Sequence, residues 1–491
     1  MKLTTIFFCL ILLVLSSCKV NKSAVQLKPD VKVQPEVIDV KSKVINANSK
    51  TASLRAGENY WENVWQISPK INPHTWYVMP EPNNSIKATF ITDIDSISFD
   101  VKEKETYEFQ ILLNQKDTAV TQIKGVGAKA FFSDSYQKKY RDKTVIEIPK
   151  PYELINIAFA LTSLSAEENS HVVVKNIPYH KEVMEYFAPY KSHEIVTKLD
   201  SILRERFNMY FGLKMDTYAF EFKNQKLVSK GVYDRIAQNV GENNLTPELV
   251  SLLEDFSKVS KFHEFYNQHQ DFYDTQINYY KHDINIANMQ LWLNQNFTKT
   301  SYDCFKVIFS PLVDWNQSAS WFDNDGFKEA QAHVNFPYPS EADKKRTDEE
   351  NKVLDGNILF TELNHAFINP EAEDYFDTST FKEAFEDVSF WVTENSVAAK
   401  SYANSRSLFN ELMNWSLVSL YLLDNAPKGN IDTFIKSTED WQITKRGFKH
   451  FREFNQNLIT LYKNKKQEET VADLYPEIIK WCQEFALQGK N

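Results

Sequence analysis

The apolar pattern of this chain changes period near Pro149 and Pro151, and that change divides it into two kinds of structure. Upstream, Ile97, Phe99 and Val101 alternate with Ser98 and Asp100. Tyr107, Phe109, Ile111 and Leu113 alternate with Glu108 and Gln110. A period of two places one set of side chains on each face of a strand. Asn83-Asn84-Ser85 and Asn114-Gln115-Lys116-Asp117 read as turns, and Val145-Ile146-Glu147-Ile148 as one more strand. Residues 60–150 are therefore expected to form a small β-rich domain, sandwich-like, whose expected role is packing. Downstream, Leu154, Ala158 and Leu161 recur at helical spacing, as do Ile195, Leu199 and Ile202, Leu249, Leu252 and Phe256, and Ile286, Met289 and Leu293. Residues 151–491 are expected to be mainly α-helical, which makes the whole chain α+β. Val307-Ile308-Phe309 reads as a buried strand entering a loop at Ser310-Pro311-Leu312. The stretch from Trp315 to Pro339, aromatic and rich in Asn and Asp, reads as an irregular loop lining a cleft.

The first residues carry an export signal. Lys2 supplies a basic start, Ile6 to Leu15 is unbroken apolar sequence, and Leu15-Ser16-Ser17-Cys18 matches a lipobox. An apolar run of about ten residues is too short for a membrane-spanning helix, which needs roughly twenty. Residues 1–17 are expected to be removed and Cys18 to carry the lipid, so that the membrane partner is reached through an N-terminal anchor. Residues 18–59 hold no aromatic side chain up to Asn59 and are expected to be a flexible tether. The expected location is the bacterial cell envelope, at the outer membrane facing the periplasm.

Several function classes are excluded. A net charge of −10 argues against nucleic acid as a partner. Eleven glycines in 491 residues leave little room for a phosphate cradle, and no Gly-x-Ser-x-Gly or Cys-x-x-Cys is present. With Cys9 in the leader and Cys18 lipidated, Cys304 and Cys482 are too few for a disulfide scaffold; they either pair or stay buried and free.

Phe360-Thr361-Glu362-Leu363-Asn364-His365 has the outline of the zinc-peptidase helix His-Glu-x-x-His. In the intact motif two histidines one turn apart hold the metal, and the glutamate polarises its water. Here Glu362 and His365 stand in place, but Thr361 occupies the first ligand position, and a neutral hydroxyl is a poor zinc ligand. Glu-x-x-His alone carries little weight: it recurs at Glu168 and His171. His263-Glu264 and His193-Glu194 lack a histidine three residues on and read as surface or capping residues. The motif helix is expected to begin near Asn357, to bury Leu359, Leu363 and Phe367, and to end at Pro370. Further on, Leu408, Trp415, Val418 and Leu422 mark a helix face that includes Glu411. A carboxylate on that face either meets a cation, a donor or a metal, or reaches solvent at the edge of the stripe.

The longer string, Thr361 to Pro370, resembles an uncharacterised family of bacterial envelope proteins carrying a domain of unknown function and a gluzincin-like motif, His-Glu-x-x-His-x-Phe-x-Asn-Pro. Tyr152-Glu153-Leu154-Ile155-Asn156-Ile157, Ser192 to Leu199, Phe309-Ser310-Pro311-Leu312-Val313, Asn410-Glu411-Leu412 and Leu474 to Ile479 are similar to the same family, over roughly residues 150 to 485. The resemblance implies a zincin-like helical domain, with Glu362 as general base and His365 and Glu411 as zinc ligands. It also implies an arginine soon after the downstream glutamate, which the residues around Trp415 lack. The substitution at Thr361 points to weak or absent zinc and to a catalytically impaired module that binds a peptide or protein. The alternatives are an active zinc peptidase with a substitute ligand, for which His333 is a conceivable donor, and a structural envelope lipoprotein.

Overall fold

The computed structural model describes Val37–Ile38 and residues 43–489, apart from positions 58, 71–72, 79, 81–84, 128, 238–242, 315 and 428. The leader and Cys18 lie outside the described residues. Among those described, no helix is long and apolar enough to cross a membrane.

Among the described residues, nine strands precede residue 130: β1 (Val37–Ile38), β2 (Val44–Ala47), β3 (Thr51–Ala56), β4 (Asn59–Gln66), β5 (His74–Val78), β6 (Ser85–Ile91), β7 (Ser96–Lys102), β8 (Thr106–Leu113) and β9 (Asp117–Gly125). They form two sheets, one ordered β1-β8-β9-β5 with β2 also on β8, the other β4-β3-β6-β7. The alternation around Phe99 and Phe109 turns one face of each sheet inward. Leu54, Phe90 and Val101 from one sheet meet Phe109, Ile111 and Ile123 from the other in a single core. Phe90 and Phe109 stand edge to face at 5.2 Å. The β-sandwich is as expected.

Its boundaries differ. The expected tether is structured from Val44 onward: β2 pairs with β8, and β3 with β4 and β6. The segment needs no aromatic residue because Ile45, Ala47, Leu54 and Ala56 bury aliphatic side chains in a core whose aromatics come from other strands. At the other end, the described residues from Ala130 onward belong to the second compact unit. The strand predicted at Val145 is therefore β10 (Lys143–Glu147) of that unit and not part of the sandwich.

In the larger unit, β11 (Phe220–Lys223) and β12 (Lys226–Ser229) form a hairpin. β13 (Cys304–Phe309), β14 (Ser318–Asn324) and β15 (Phe327–Val334) join β10 in a sheet ordered β10-β13-β15-β14. β10, β13 and β15 run parallel, and β14 runs antiparallel on the edge. The stretch read as an irregular loop thus holds two paired strands. The overlooked signal is Asp325-Gly326: both sit at positive φ, 54° and 72°, as a two-residue hairpin turn requires. One sheet face (Phe305, Val307, Phe309, Ala330, Ala332) joins the large helical core. The other carries Lys306, Glu329, Gln331 and His333, all buried.

The motif helix runs from Asp348 to Glu373, longer at both ends than expected. Thr347 and Glu350 form a capping box that starts it a full two turns before Asn357. Pro370 lies inside it. A proline has no N–H for the carbonyl four residues back, and here the Tyr302 hydroxyl donates to that Ala366 carbonyl instead, at 2.6 Å. The helix therefore continues past the proline.

Candidate functional site

The motif helix crosses a second long helix, Ser405–Asn425. Phe360 stacks on Tyr421 with ring centres 4.6 Å apart, and the Asn364 amide donates to the Asn414 carbonyl at 3.1 Å. Rising numbers on one helix meet falling numbers on the other, so the pair is antiparallel. The crossing brings Glu362, His365 and Glu411 into one neighbourhood.

At the first ligand position Thr361 is buried, and its hydroxyl donates to the Ile358 carbonyl at 2.7 Å. It is turned back onto its own helix. The His365 ring is held at both nitrogens: Nε2 lies 2.9 Å from the Asn414 amide nitrogen and Nδ1 3.4 Å from the Asn369 side-chain oxygen. An amide N–H can only donate, so Nε2 carries the lone pair and Nδ1 the proton. Burial lowers the His365 pKa against the opposing pull of Glu411, which keeps the ring neutral.

Glu411 is buried and meets a cation. Its Oε1 accepts from Arg446 Nη1 at 2.6 Å and from the Trp415 indole at 2.9 Å. Its Oε2 stands 3.9 Å from His365 Nε2. Burial alone would raise the Glu411 pKa, but the charge and hydrogen bond of Arg446 outweigh it and the pKa is lowered. Arg446 also donates to the Tyr402 hydroxyl at 2.6 Å. It ends a π-helical turn, Gln442–Arg446, closed by Gly447 at φ 87°. A Cβ at Gly447 would come within 2.3 Å of the Ser396 Cβ, so the turn needs glycine there. The arginine expected beside Trp415 is supplied from 35 residues after Glu411, too far for sequence spacing to reveal it.

Glu362 differs from both. It makes no hydrogen bond or ion pair with any described residue and is half-buried. Loss of hydration, with the Glu411 charge adding, pushes its carboxyl up to about 8. Water at the exposed edge screens part of that penalty. Lys214 lies nearby, fully buried, donating to the Asn316 carbonyl at 2.5 Å, and burial takes its amine down to about 7. Nothing in the sequence pattern marks Lys214. Asn414, three residues after Glu411 on the same face, was legible from spacing.

The other candidates are not bonded to these residues among those described. His333 sits on β15, not in a loop, fully buried, with Nε2 3.1 Å from Gln331 and its ring near Tyr152 and Tyr218. No hydrogen bond or ion pair links it to Thr361, His365 or Glu411 among the described residues. Burial holds its pKa well below the ordinary value. His193 caps the helix Glu194–Glu205 through the Ile195 N–H, and His171 pairs with Asp314 at 3.0 Å. Cys304 and Cys482 are buried and free.

A catalytic zinc centre takes three protein ligands and an open fourth position. The donors present are His365 Nε2 and Glu411 Oε2, with the Thr361 hydroxyl committed to the backbone. Among the described residues no three His, Cys, Asp or Glu side chains gather as a metal site. This donor set is one short of the three that a catalytic zinc centre takes.

A family model described as a domain of unknown function, DUF4932, matches residues 144–481, and the chain belongs to that family. No similar protein of curated function and no similar solved structure was found.

Proposed function

We propose, from the membership of this family as premise, that the chain is a lipid-anchored envelope protein whose larger unit is a peptide- or protein-binding module on a metallopeptidase-like helix pair, catalytically impaired. The observation that carries this is the commitment of the Thr361 hydroxyl to the Ile358 carbonyl, beside a His365 and a Glu411 that are each satisfied from within the protein. The lipid on Cys18 and the location at the outer membrane, facing the periplasm, rest on the lipobox. A second reading, an active zinc peptidase with a substitute ligand, is favoured by the 3.9 Å approach of His365 Nε2 to Glu411 Oε2.

Metal content separates the two. The protein, its His365→Ala variant and its Thr361→His variant are equilibrated with trace zinc and assayed by elemental mass spectrometry. The binding-module reading expects less than stoichiometric zinc in the parent and stoichiometric zinc in Thr361→His, where a third donor joins two that are already oriented. Stoichiometric zinc in the parent, lost in His365→Ala, would overturn it in favour of the enzyme.

A further inference from the structure

Six carboxylates are buried among the described residues, and five of them have their charge answered by the protein. Glu329 pairs with Lys306, Glu371 with Lys299, Glu411 with Arg446 and Glu439 with Arg452. Asp216 accepts from the N–H groups of Ile236, Ala237 and Asn244. Glu153 is the exception. It lies fully buried on the helix Lys150–Ala160, with the Tyr179 hydroxyl donating to its Oε1 at 2.6 Å. No lysine or arginine is bonded to it among the described residues. His269 acts on it only through space, since its Nε2 lies 2.8 Å from Glu182 and its Nδ1 2.7 Å from the Phe265 carbonyl. Burial takes the Glu153 carboxyl up to about 7, so above that pH the interior holds an unmatched charge.

The groups around Glu153 form a closed ring of oxygen-bearing residues. Tyr179 spends its one proton on Glu153, so at the 2.6 Å contact between the two hydroxyls Tyr273 is the donor. Gln276 follows Tyr273 by three residues, on the same face of the helix Gln270–Asn278. Its Nε2 donates to the Tyr338 hydroxyl at 2.8 Å, and Tyr338 donates to the Pro311 carbonyl at 3.2 Å. Ser310, next in the chain to Pro311, brings the ring back to Glu153, whose pKa its hydroxyl lowers. Two buried atoms of the ring have no hydrogen-bond partner among the described residues, Glu153 Oε2 and Gln276 Oε1. Both are acceptors, so neither can serve the other. A water could donate to both but would leave the carboxylate charge unmatched. A hard cation takes carboxylate, amide and backbone carbonyl oxygens, and with one carboxylate in the ring a single positive charge balances it.

We propose that the ring closed by Glu153 and Gln276 binds a monovalent hard cation, sodium or potassium, with Glu153 Oε2 and Gln276 Oε1 among its ligands. The site is independent of the binding-module reading, and none of its residues belongs to the motif helix or to the helix Ser405–Asn425.

The test is thermal unfolding of the full-length chain in detergent at about pH 8.5, where Glu153 is ionised, in sodium, potassium or choline chloride at equal ionic strength. Choline screens charge as the metals do but is too bulky for an oxygen ring. The midpoint in sodium or potassium chloride should exceed that in choline chloride by at least about 2 °C, and rise with the logarithm of metal concentration. In Glu153→Gln, which keeps the shape and removes the charge, the three salts should give one midpoint. Gln276→Met, which keeps the carboxylate and removes one ligand oxygen, should need about tenfold more metal for the same rise. Equal midpoints for the parent in all three salts would overturn the site and leave Glu153 neutralised by a proton. A metal response that persists in Glu153→Gln, or that is unchanged in Gln276→Met, would overturn it as well.

Discussion

The Glu411–Arg446 pair allows a quantitative test of what holds the helix crossing together. The two groups are almost fully out of solvent, with side-chain exposures of 5% and 11%, and their contact is 2.6 Å. Removing one partner of such a pair leaves an uncompensated buried charge, at a cost of about 3–5 kcal/mol. Arg446→Met keeps an apolar stem against Trp415, Trp441 and Phe448 and removes the guanidinium. Adding Glu411→Gln to it removes the stranded charge, and the amide oxygen can still accept from the Trp415 indole. What remains lost is chiefly the Tyr402 hydrogen bond, about 1 kcal/mol. The double variant should therefore be more stable than Arg446→Met by about 2–4 kcal/mol, read from urea unfolding at pH 7 with unchanged m-values.

The same pair has a pH signature. The Glu411 pKa is lowered in the folded protein, so its ionisation stabilises the fold above the pKa of the unfolded carboxyl. That contribution is lost as pH falls through the folded value. The stability gap between the parent and the double variant should accordingly shrink in acid. A penalty below about 1 kcal/mol for Arg446→Met, or no rescue by Glu411→Gln, would refute the view that the guanidinium is the counter-charge this carboxylate depends on.

Two further outcomes follow from buried groups. Tyr302→Phe should destabilise by about 1–3 kcal/mol because the Ala366 carbonyl then has no donor; Pro370→Ala, which restores the helix N–H, should remove most of that loss, as urea unfolding of the single and double variants will show. Glu153 is fully buried and accepts from the Tyr179 hydroxyl at 2.6 Å, and burial raises its carboxyl to about 7. A folded pKa above the unfolded value means stability is fullest below about pH 4.5 and falls as pH rises through about 7. Glu153→Gln should flatten that slope in thermal melts across this window, by an amount on the order of 3 kcal/mol.

What the sequence revealed depended on whether the determinant was local. The β alternation around Phe99 and Phe109 and the helical spacing after Pro151 are short-range patterns, and both appear as read. The capping box at Thr347 and the Asp325-Gly326 turn are equally local signals, and they account for the earlier start of the motif helix and for the two strands between Ser318 and Val334. The strands at Ile45 and Leu54 are hidden for a different reason: composition describes a segment alone, whereas these aliphatic side chains are buried in a core whose aromatics lie on other strands. The site divides in the same way. Glu362 and His365 follow from a short motif and Glu411 from a helix stripe, but Arg446 and Lys214 reach the site through tertiary packing, one from a π-helical turn and one from the helix Met209–Asp216.

Three polar groups around position 361 have partners inside the protein. The Thr361 hydroxyl bonds to Ile358, Asn414 donates to His365, and Arg446 neutralises Glu411. Neither of the last two is left as a buried unpaired group. Glu362 has no such alternative. It stands three residues from His365, near the charge of Glu411, with no described hydrogen-bond or ion-pair partner. Its remaining bonds must go to water or to a ligand. Of all the motif residues it is therefore the one whose energetics a bound molecule can change most.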